Sequence, residues 1–211
     1  MNMVQDVLQS AAIGVGVAQT PENLSIIKTP GCAAALWQRP ANPVFQRWID
    51  ALDPEHLPSA RVILRPQGVK TALRDFCDKA GTPQGSEREH LIEDIAALTD
   101  VFCGVMGAPF IRLRLDRVTT NACRRFHIDA VRARLVCTYR GTGTQYGVST
   151  DDAAPGRVFT VPTGAPILLR GTLWPEQPHA GLLHRSPPIE GSGETRLVLV
   201  LDPIFDLEDE T

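Results

Sequence analysis

The chain has 211 residues, of which 43% are hydrophobic and 21% charged, with a net charge of -3. That composition is ordinary for a globular protein, and the length allows a sizeable core without disulfides. It argues against a basic nucleic-acid surface, and no apolar run reaches membrane-spanning length.

The five cysteines, Cys32, Cys77, Cys103, Cys123 and Cys137, are odd in number, widely spaced and without a C-x-x-C pair. Free thiols in a reducing compartment suit them better than a disulfide framework. Ala11 to Ala18 is apolar and short, but it follows Asp6 and no early Lys or Arg, unlike a secretion signal. The expected location is the cytoplasm, with neither nucleic acid nor membrane as partner.

Residues 1–22 are weakly patterned and read as a terminal arm or an edge strand. Gly14-Val15-Gly16 lacks the third glycine and the helix start of a dinucleotide loop. Leu24 to Lys28 and Ala33 to Gln38 read as short strands around Thr29-Pro30-Gly31. Asn42-Pro43 supplies an N-cap and a first-turn proline for an amphipathic helix carrying Phe45, Trp48, Ile49 and Leu52. Arg61 to Leu64 is a strand candidate, and Gly68 to Ala80 a second helix. Ser86 and Glu89 form an S-x-x-E capping box ahead of Leu91, Ile95, Leu98, Phe102 and Val105, so a third helix is predicted over 87–106. His90, Glu89, Glu93 and Asp94 read as its solvated outer face.

Pro109 marks a change of character. Strands are predicted at Phe110–Val118, Arg124–Asp129, Ala133–Arg140, Arg157–Val161, Ile167–Arg170, Gly181–His184 and Thr195–Asp202. No helical pattern separates them, which argues for an antiparallel sandwich or barrel. The expected fold class is α+β: a double-stranded β-helix (a cupin-like jelly roll) with N-terminal helices packed on its outside. One domain is expected over 1–211, with 1–108 as mainly helical support and 109–205 as the jelly-roll core. The acidic tail from Asp206 to Thr211 reads as a frayed, solubilising end.

The chemistry concentrates in Arg125-Phe126-His127-Ile128-Asp129 and His184-Arg185-Ser186-Pro187-Pro188. On a strand, His127 and Asp129 would share a face. If His184 returns to them, two imidazoles and a carboxylate form the set that leaves open positions on non-haem Fe(II). Arg196, Val198 and Val200 share a strand face. A buried Arg196 calls for an anionic partner, including a ligand carboxylate, whereas an Arg at the rim would reach water or Asp202. Each residue also has a plainer reading: His127 as a hydrogen-bonded strand histidine, Asp129 as a turn residue.

The ordered segments Phe126-His127-Ile128-Asp129, Arg134-Leu135-Val136-Cys137-Thr138-Tyr139, Gly141-Thr142-Gly143-Thr144-Gln145, His184-Arg185-Ser186-Pro187-Pro188 and Arg196 to Asp202 resemble an uncharacterised bacterial family, the domain of unknown function 1826. More distantly they resemble Fe(II)- and 2-oxoglutarate-dependent oxygenases. That resemblance implies His127, Asp129 and His184 as iron ligands and Arg196 as the residue binding the far carboxylate of 2-oxoglutarate. The implied activity is C–H hydroxylation of a small-molecule or protein substrate.

Several positions stay open. His179 is the alternative third ligand, and Cys123, four residues before His127, would favour zinc over iron. Tyr139 is a hydrogen-bond donor to the co-substrate or an ordinary buried tyrosine. Arg134 and Thr138, on one strand face, are candidate pocket residues. Trp174 and His179 belong to the Gly171–Gly181 loop, which is either a lid over the metal or a long loop with one packed Trp. The rival functions are a cupin-like Zn or Fe binding protein without oxygenase activity and a metal-free jelly-roll interaction module. No nucleophile motif such as G-x-S-x-G occurs.

Overall fold

The structure, a computed structural model, describes residues 11–149 and 154–208. The expectations for residues 1–10 and for the end of the acidic tail at 209–211 lie outside them.

The described chain is mixed α+β. Its strands are β1 (Ala11–Ala12), β2 (Gly14–Ala18), β3 (Cys32–Trp37), β4 (Ala60–Leu64), β5 (Phe110–Val118), β6 (Ala133–Arg140), β7 (Gln145–Val148), β8 (Phe159–Thr160), β9 (Pro166–Arg170), β10 (His179–Ala180), β11 (Leu182–Arg185) and β12 (Arg196–Ile204). The helices are α1 (Pro43–Ala51), α2 (Val69–Ala80) and α3 (Ser86–Met106). A seven-stranded sheet runs in the order β2-β3-β9-β6-β12-β5-β4, antiparallel except for the β2–β3 pair. A three-stranded sheet runs β11-β7-β8.

Period-two alternation divides the large sheet into two faces. Leu113, Leu115, Leu135, Cys137, Leu197, Leu199 and Leu201 pack in one core with Phe45, Ile49, Leu73, Leu91, Ile95 and Phe102 of the helices. The opposite face sends Val136, Ile167, Leu169, Val198 and Val200 into a second core with Leu182, Tyr146 and Val148 of the small sheet. The small sheet covers only part of that face, and the site lies on the same side.

The expected helices form nearly where read. Asn42 caps α1 by accepting from the Val44 and Phe45 amides, and Gly81, at φ 65°, ends α2 in the left-handed conformation. Gly14–Ala18 is an edge strand. All five cysteines are free. Among the described residues no helix is long and apolar enough to cross a membrane.

Four expectations change. Pro21–Lys28 is a 3-10 helix, not a strand: Leu24 and Ile27, three apart, both point into the core. The capping box does not close, because Ser86 Oγ bonds Glu87 and the Glu89 carboxylate pairs with Arg74 of α2. Asp94 is not a solvated residue; it is held bidentately by Arg39 at 2.6 and 2.8 Å. Arg124–Asp129 is irregular chain, with His127 alone in a strand-like bridge to His184.

Candidate metal centre

His127 and His184 are direct cross-chain neighbours. Each amide donates to the other's carbonyl at 3.0 Å, and their rings lie 4.6 Å apart. Asp129 arrives by a route the sequence did not suggest. Its carbonyl accepts from Thr172, and Val131 accepts from Leu173, so the loop bearing the carboxylate pairs with the turn after β9. Gly171 permits this approach: a Cβ there would stand 1.9 Å from the Val131 oxygen and 2.7 Å from that of Asp129.

The potential ligand atoms of His127, Asp129 and His184 all lie within 4.8 Å of one another. His127 Nδ1 is 2.8 Å from the Arg125 carbonyl. A carbonyl only accepts, so Nδ1 donates to it and Nε2 is the nitrogen turned toward the cluster. Nε2 sits 3.4 Å from Asp129 Oδ1. With the ring neutral, these two atoms can share a cation between them. His184 Nε2 lies 2.9 Å from Asp129 Oδ2, a gap that a proton or a metal ion can bridge, since ligation releases the proton. The donor set of two imidazoles and one carboxylate suits iron of the open-site type. No cysteine belongs to it, so the zinc alternative built on Cys123 gains no support.

Arg134 fixes the carboxylate. Its Nη1 donates to Asp129 Oδ1 at 2.5 Å, while Nε and Nη2 hold Asp202 at 2.6 and 2.9 Å. Burial alone would raise the pKa of Asp129; the hydrogen bond with His184 and the charges of His184, Arg134 and His127 overcome it and bring it to about 2. Burial would likewise lower that of Arg134, but its two carboxylate partners raise it.

The two histidines line a cavity of about 140 Å³ together with Arg134, Thr144, Arg196 and Val198. One water needs roughly 10–15 Å³ by such a measure, so the cavity admits a small molecule. Arg196 is 1% exposed. Its Nε donates to the Thr142 carbonyl at 2.6 Å, and Nη2 lies 3.4 Å from Thr138 Oγ1. Among the described residues no carboxylate forms an ion pair with it, and burial lowers its pKa to about 10, with Glu194 opposing. Gly141, at φ 79°, makes room: a Cβ there would lie 2.7 Å from Glu194 Oε1 and 3.0 Å from Arg196 Cγ.

The structure therefore gathers His127, Asp129, His184, Arg134, Thr138 and Arg196, and separates the other candidates. Tyr139 points to the helical face, where its hydroxyl donates to Asp94 at 2.6 Å; neighbouring residues on a strand face opposite ways. Trp174 packs in the helical core, with the Arg170 guanidinium 4.4 Å from its ring, and does not cap the site. His179 is exposed and lies 2.8 Å from Gln177, so the third imidazole of the cluster is His184. Sequence reasoning passed over the Asp202–Arg134–Asp129 chain. Its signal was Asp202 itself, in phase with Arg196, Val198 and Val200.

The sequence profile of a family described as "Protein of unknown function (DUF1826)" matches residues 18–202. No curated protein matches the chain. Among solved structures, a dioxygenase for auxin oxidation from rice superposes with a TM-score of 0.51 at 14% identity, covering 93% of this chain and 84% of that one. At this identity the likeness establishes a shared fold alone. Two looser similarities, each with a TM-score of 0.43 and 14% identity, are the dioxygenase for auxin oxidation 1 from Arabidopsis thaliana in its 2-oxoglutarate complex and an oxidoreductase of the 2OG-Fe(II) oxygenase family from Burkholderia pseudomallei. They cover 97% and 90% of this chain and 88% and 95% of their own.

Proposed function

The chain belongs to the DUF1826 family, and we propose that it is an Fe(II)- and 2-oxoglutarate-dependent oxygenase built on a double-stranded β-helix. The carrying observation is that one cavity combines the histidines of the His127–Asp129–His184 cluster with Arg196, a buried cation that no described carboxylate pairs. A buried guanidinium without an anion is costly in a binary protein–solvent balance, and a ligand carboxylate offsets that cost. On this reading the two sheets are the walls of the jelly roll. Residues 109–205 form the site-bearing core and 1–108 its mainly helical support, in one domain.

Iron and 2-oxoglutarate would supply the oxidising chemistry: overall, one oxygen atom of O₂ would enter a substrate C–H bond and the other succinate, with release of CO₂. The protein's own part is geometric and electrostatic. Nε2 of His127 and one atom each from His184 and Asp129 would hold the metal, a three-ligand set suited to a metal with open positions. The Arg125 carbonyl fixes the His127 tautomer, and Arg134 fixes the Asp129 carboxylate. Arg196 would pair the distal carboxylate of 2-oxoglutarate. Val136, Val198 and Val200 give the cavity an apolar floor that limits water.

The test is anaerobic addition of Fe(II) and 2-oxoglutarate, watched for a metal-to-ligand charge-transfer band. Arg196→Ala should weaken 2-oxoglutarate binding, and His127→Ala or His184→Ala should abolish the band. Absence of a band in the wild type, with 2-oxoglutarate binding unchanged in Arg196→Ala, would overturn the reading.

A further inference from the structure

Beside the metal centre the large sheet opens into a second, wider space of about 550 Å³ over Arg61, Arg112, Arg114, Arg134 and Asp202. Arg114 and Arg134 also line the cavity at the metal centre, so the two spaces adjoin. The cations come from strand alternation. Arg61 of β4 stands directly opposite Arg114 of β5, and Arg114 in turn stands opposite Val200 of β12.

Like charges directly opposed across antiparallel strands destabilise the pair. The protein supplies little to relieve this one. Among the described residues Asp202 is the single acid lining the space, and both of its oxygens are already in the Arg134 fork. Arg114 reaches Asp202 only at 3.6 Å, and its buried Nε has no hydrogen-bond partner among the described residues. Arg61 forms no ion pair among the described residues. An oxyanion between Arg61 and Arg114 would answer all three observations, because its oxygens accept from planar guanidinium forks in parallel.

We propose that the substrate oxidised at this centre carries an oxyanion, a carboxylate or a phosphate, and that Arg114, with Arg61 across the strand pair, seats it in this groove. The assignment rests on the oxygenase reading and adds a substrate class to it. Arg114 is a specificity residue: it holds the substrate's charged end while a C–H bond elsewhere on the molecule faces the metal centre.

The experiment uses full-length protein loaded anaerobically with Fe(II) and 2-oxoglutarate, titrated calorimetrically with benzoate, inorganic phosphate and uncharged benzamide. At least one anion should bind, more weakly at high salt, and benzamide should not. Arg114→Gln and, at the more exposed position, Arg61→Gln should each weaken the anion about tenfold, the loss of one charge-assisted hydrogen bond. Arg114→Lys should retain partial binding, which separates a lost fork from a misfolded strand. The stronger anion identifies the substrate's group as carboxylate or phosphate. The charge-transfer band reads the metal centre independently. A normal band with no anion binding, or with binding equal in wild type and Arg114→Gln, overturns the substrate assignment alone. Loss of the band in Arg114→Gln with anion binding intact makes Arg114 an anchor of 2-oxoglutarate and also overturns it. Absence of the band in the wild type overturns the oxygenase reading and the assignment with it.

Discussion

Replacing Arg196 by Met separates a ligand-directed arginine from a structural one. Methionine keeps much of the stem's volume and removes the charge. The fall in the Arg196 pKa from the ordinary arginine value to about 10 corresponds to about 3 kcal/mol of penalty on the charged form. At neutral pH that penalty is fully present; it is relieved only as pH rises through about 10, where the folded protein releases the proton before the unfolded chain does. Against this relief stand the lost bonds. The donation to the Thr142 carbonyl at 2.6 Å is worth about 1.5–3 kcal/mol, and the 3.4 Å contact with Thr138 little. The two sides nearly cancel, so Arg196→Met should leave the stability of the protein without co-substrate within about 1.5 kcal/mol of wild type. Breaking a buried ion pair costs about 3–5 kcal/mol instead.

Urea unfolding, with an unchanged dependence on denaturant, measures this difference. Repeated with a redox-inert divalent metal and 2-oxoglutarate, the wild type should gain about 2.7 kcal/mol at a hundredfold excess over Kd, and the variant far less. A loss above 3 kcal/mol without co-substrate would show that Arg196 holds the fold together, and equal stabilisation of both proteins by 2-oxoglutarate would refute its role as anchor.

Other substitutions test the neighbouring inferences. Gly171→Ala should displace the Asp129 loop, because the Cβ would meet the Val131 oxygen at 1.9 Å; the expected cost is about 1–3 kcal/mol, with metal affinity by equilibrium dialysis falling at least tenfold. Tyr139→Phe should lose about 1–2 kcal/mol in thermal unfolding, as Asp94 gives up a buried hydroxyl donor, yet retain the 2-oxoglutarate band; loss of the band would return Tyr139 to the site. His179→Ala should leave metal content unchanged, whereas His184→Ala should lose it, as read by elemental analysis. Asp202→Asn should destabilise by about 3 kcal/mol, since Arg134 loses one of two carboxylates; a change under 1 kcal/mol would mean that Asp129 alone suffices for Arg134.

The strands with strict alternation were the legible ones. The predicted Phe110–Val118 and Ala133–Arg140 coincide with β5 and β6, because each buries its apolar phase in a core and a slip of one residue would expose it. Leu24 to Lys28 misled through its adjacent isoleucines, whose strand preference yields to a period-three placement of Leu24 and Ile27 in the core. At Arg124–Asp129 the types of residue were informative and the local structure was not. The histidine joins a two-bond bridge, and the carboxylate is positioned by a turn 43 residues later in the chain. Such a contact depends on Gly171 having no side chain, which a local pattern does not display. Arg114 was visible as a charge within an alternating strand, but its opposition to Arg61 follows from the pairing of β4 with β5, which composition and spacing leave open.

The site and the core are coupled through β12. Leu197, Leu199 and Leu201 pack among the helices, while Arg196, Val198, Val200 and Asp202 face the other way. The six steps from Arg196 to Asp202 span about 20 Å at roughly 3.3 Å each. One end of that span carries the buried Arg196 guanidinium. The other carries the acid that braces Arg134 against Asp129. The two valines between them floor the cavity. Moving β12 by one residue would turn leucines toward the metal centre and drive Arg196 into the helical core, at a cost the core opposes with every leucine it would expose. The alternation that buries those leucines thus also sets the distance between Arg196 and the candidate metal centre. Substitutions in this strand's apolar phase should therefore alter co-substrate binding without touching a polar residue.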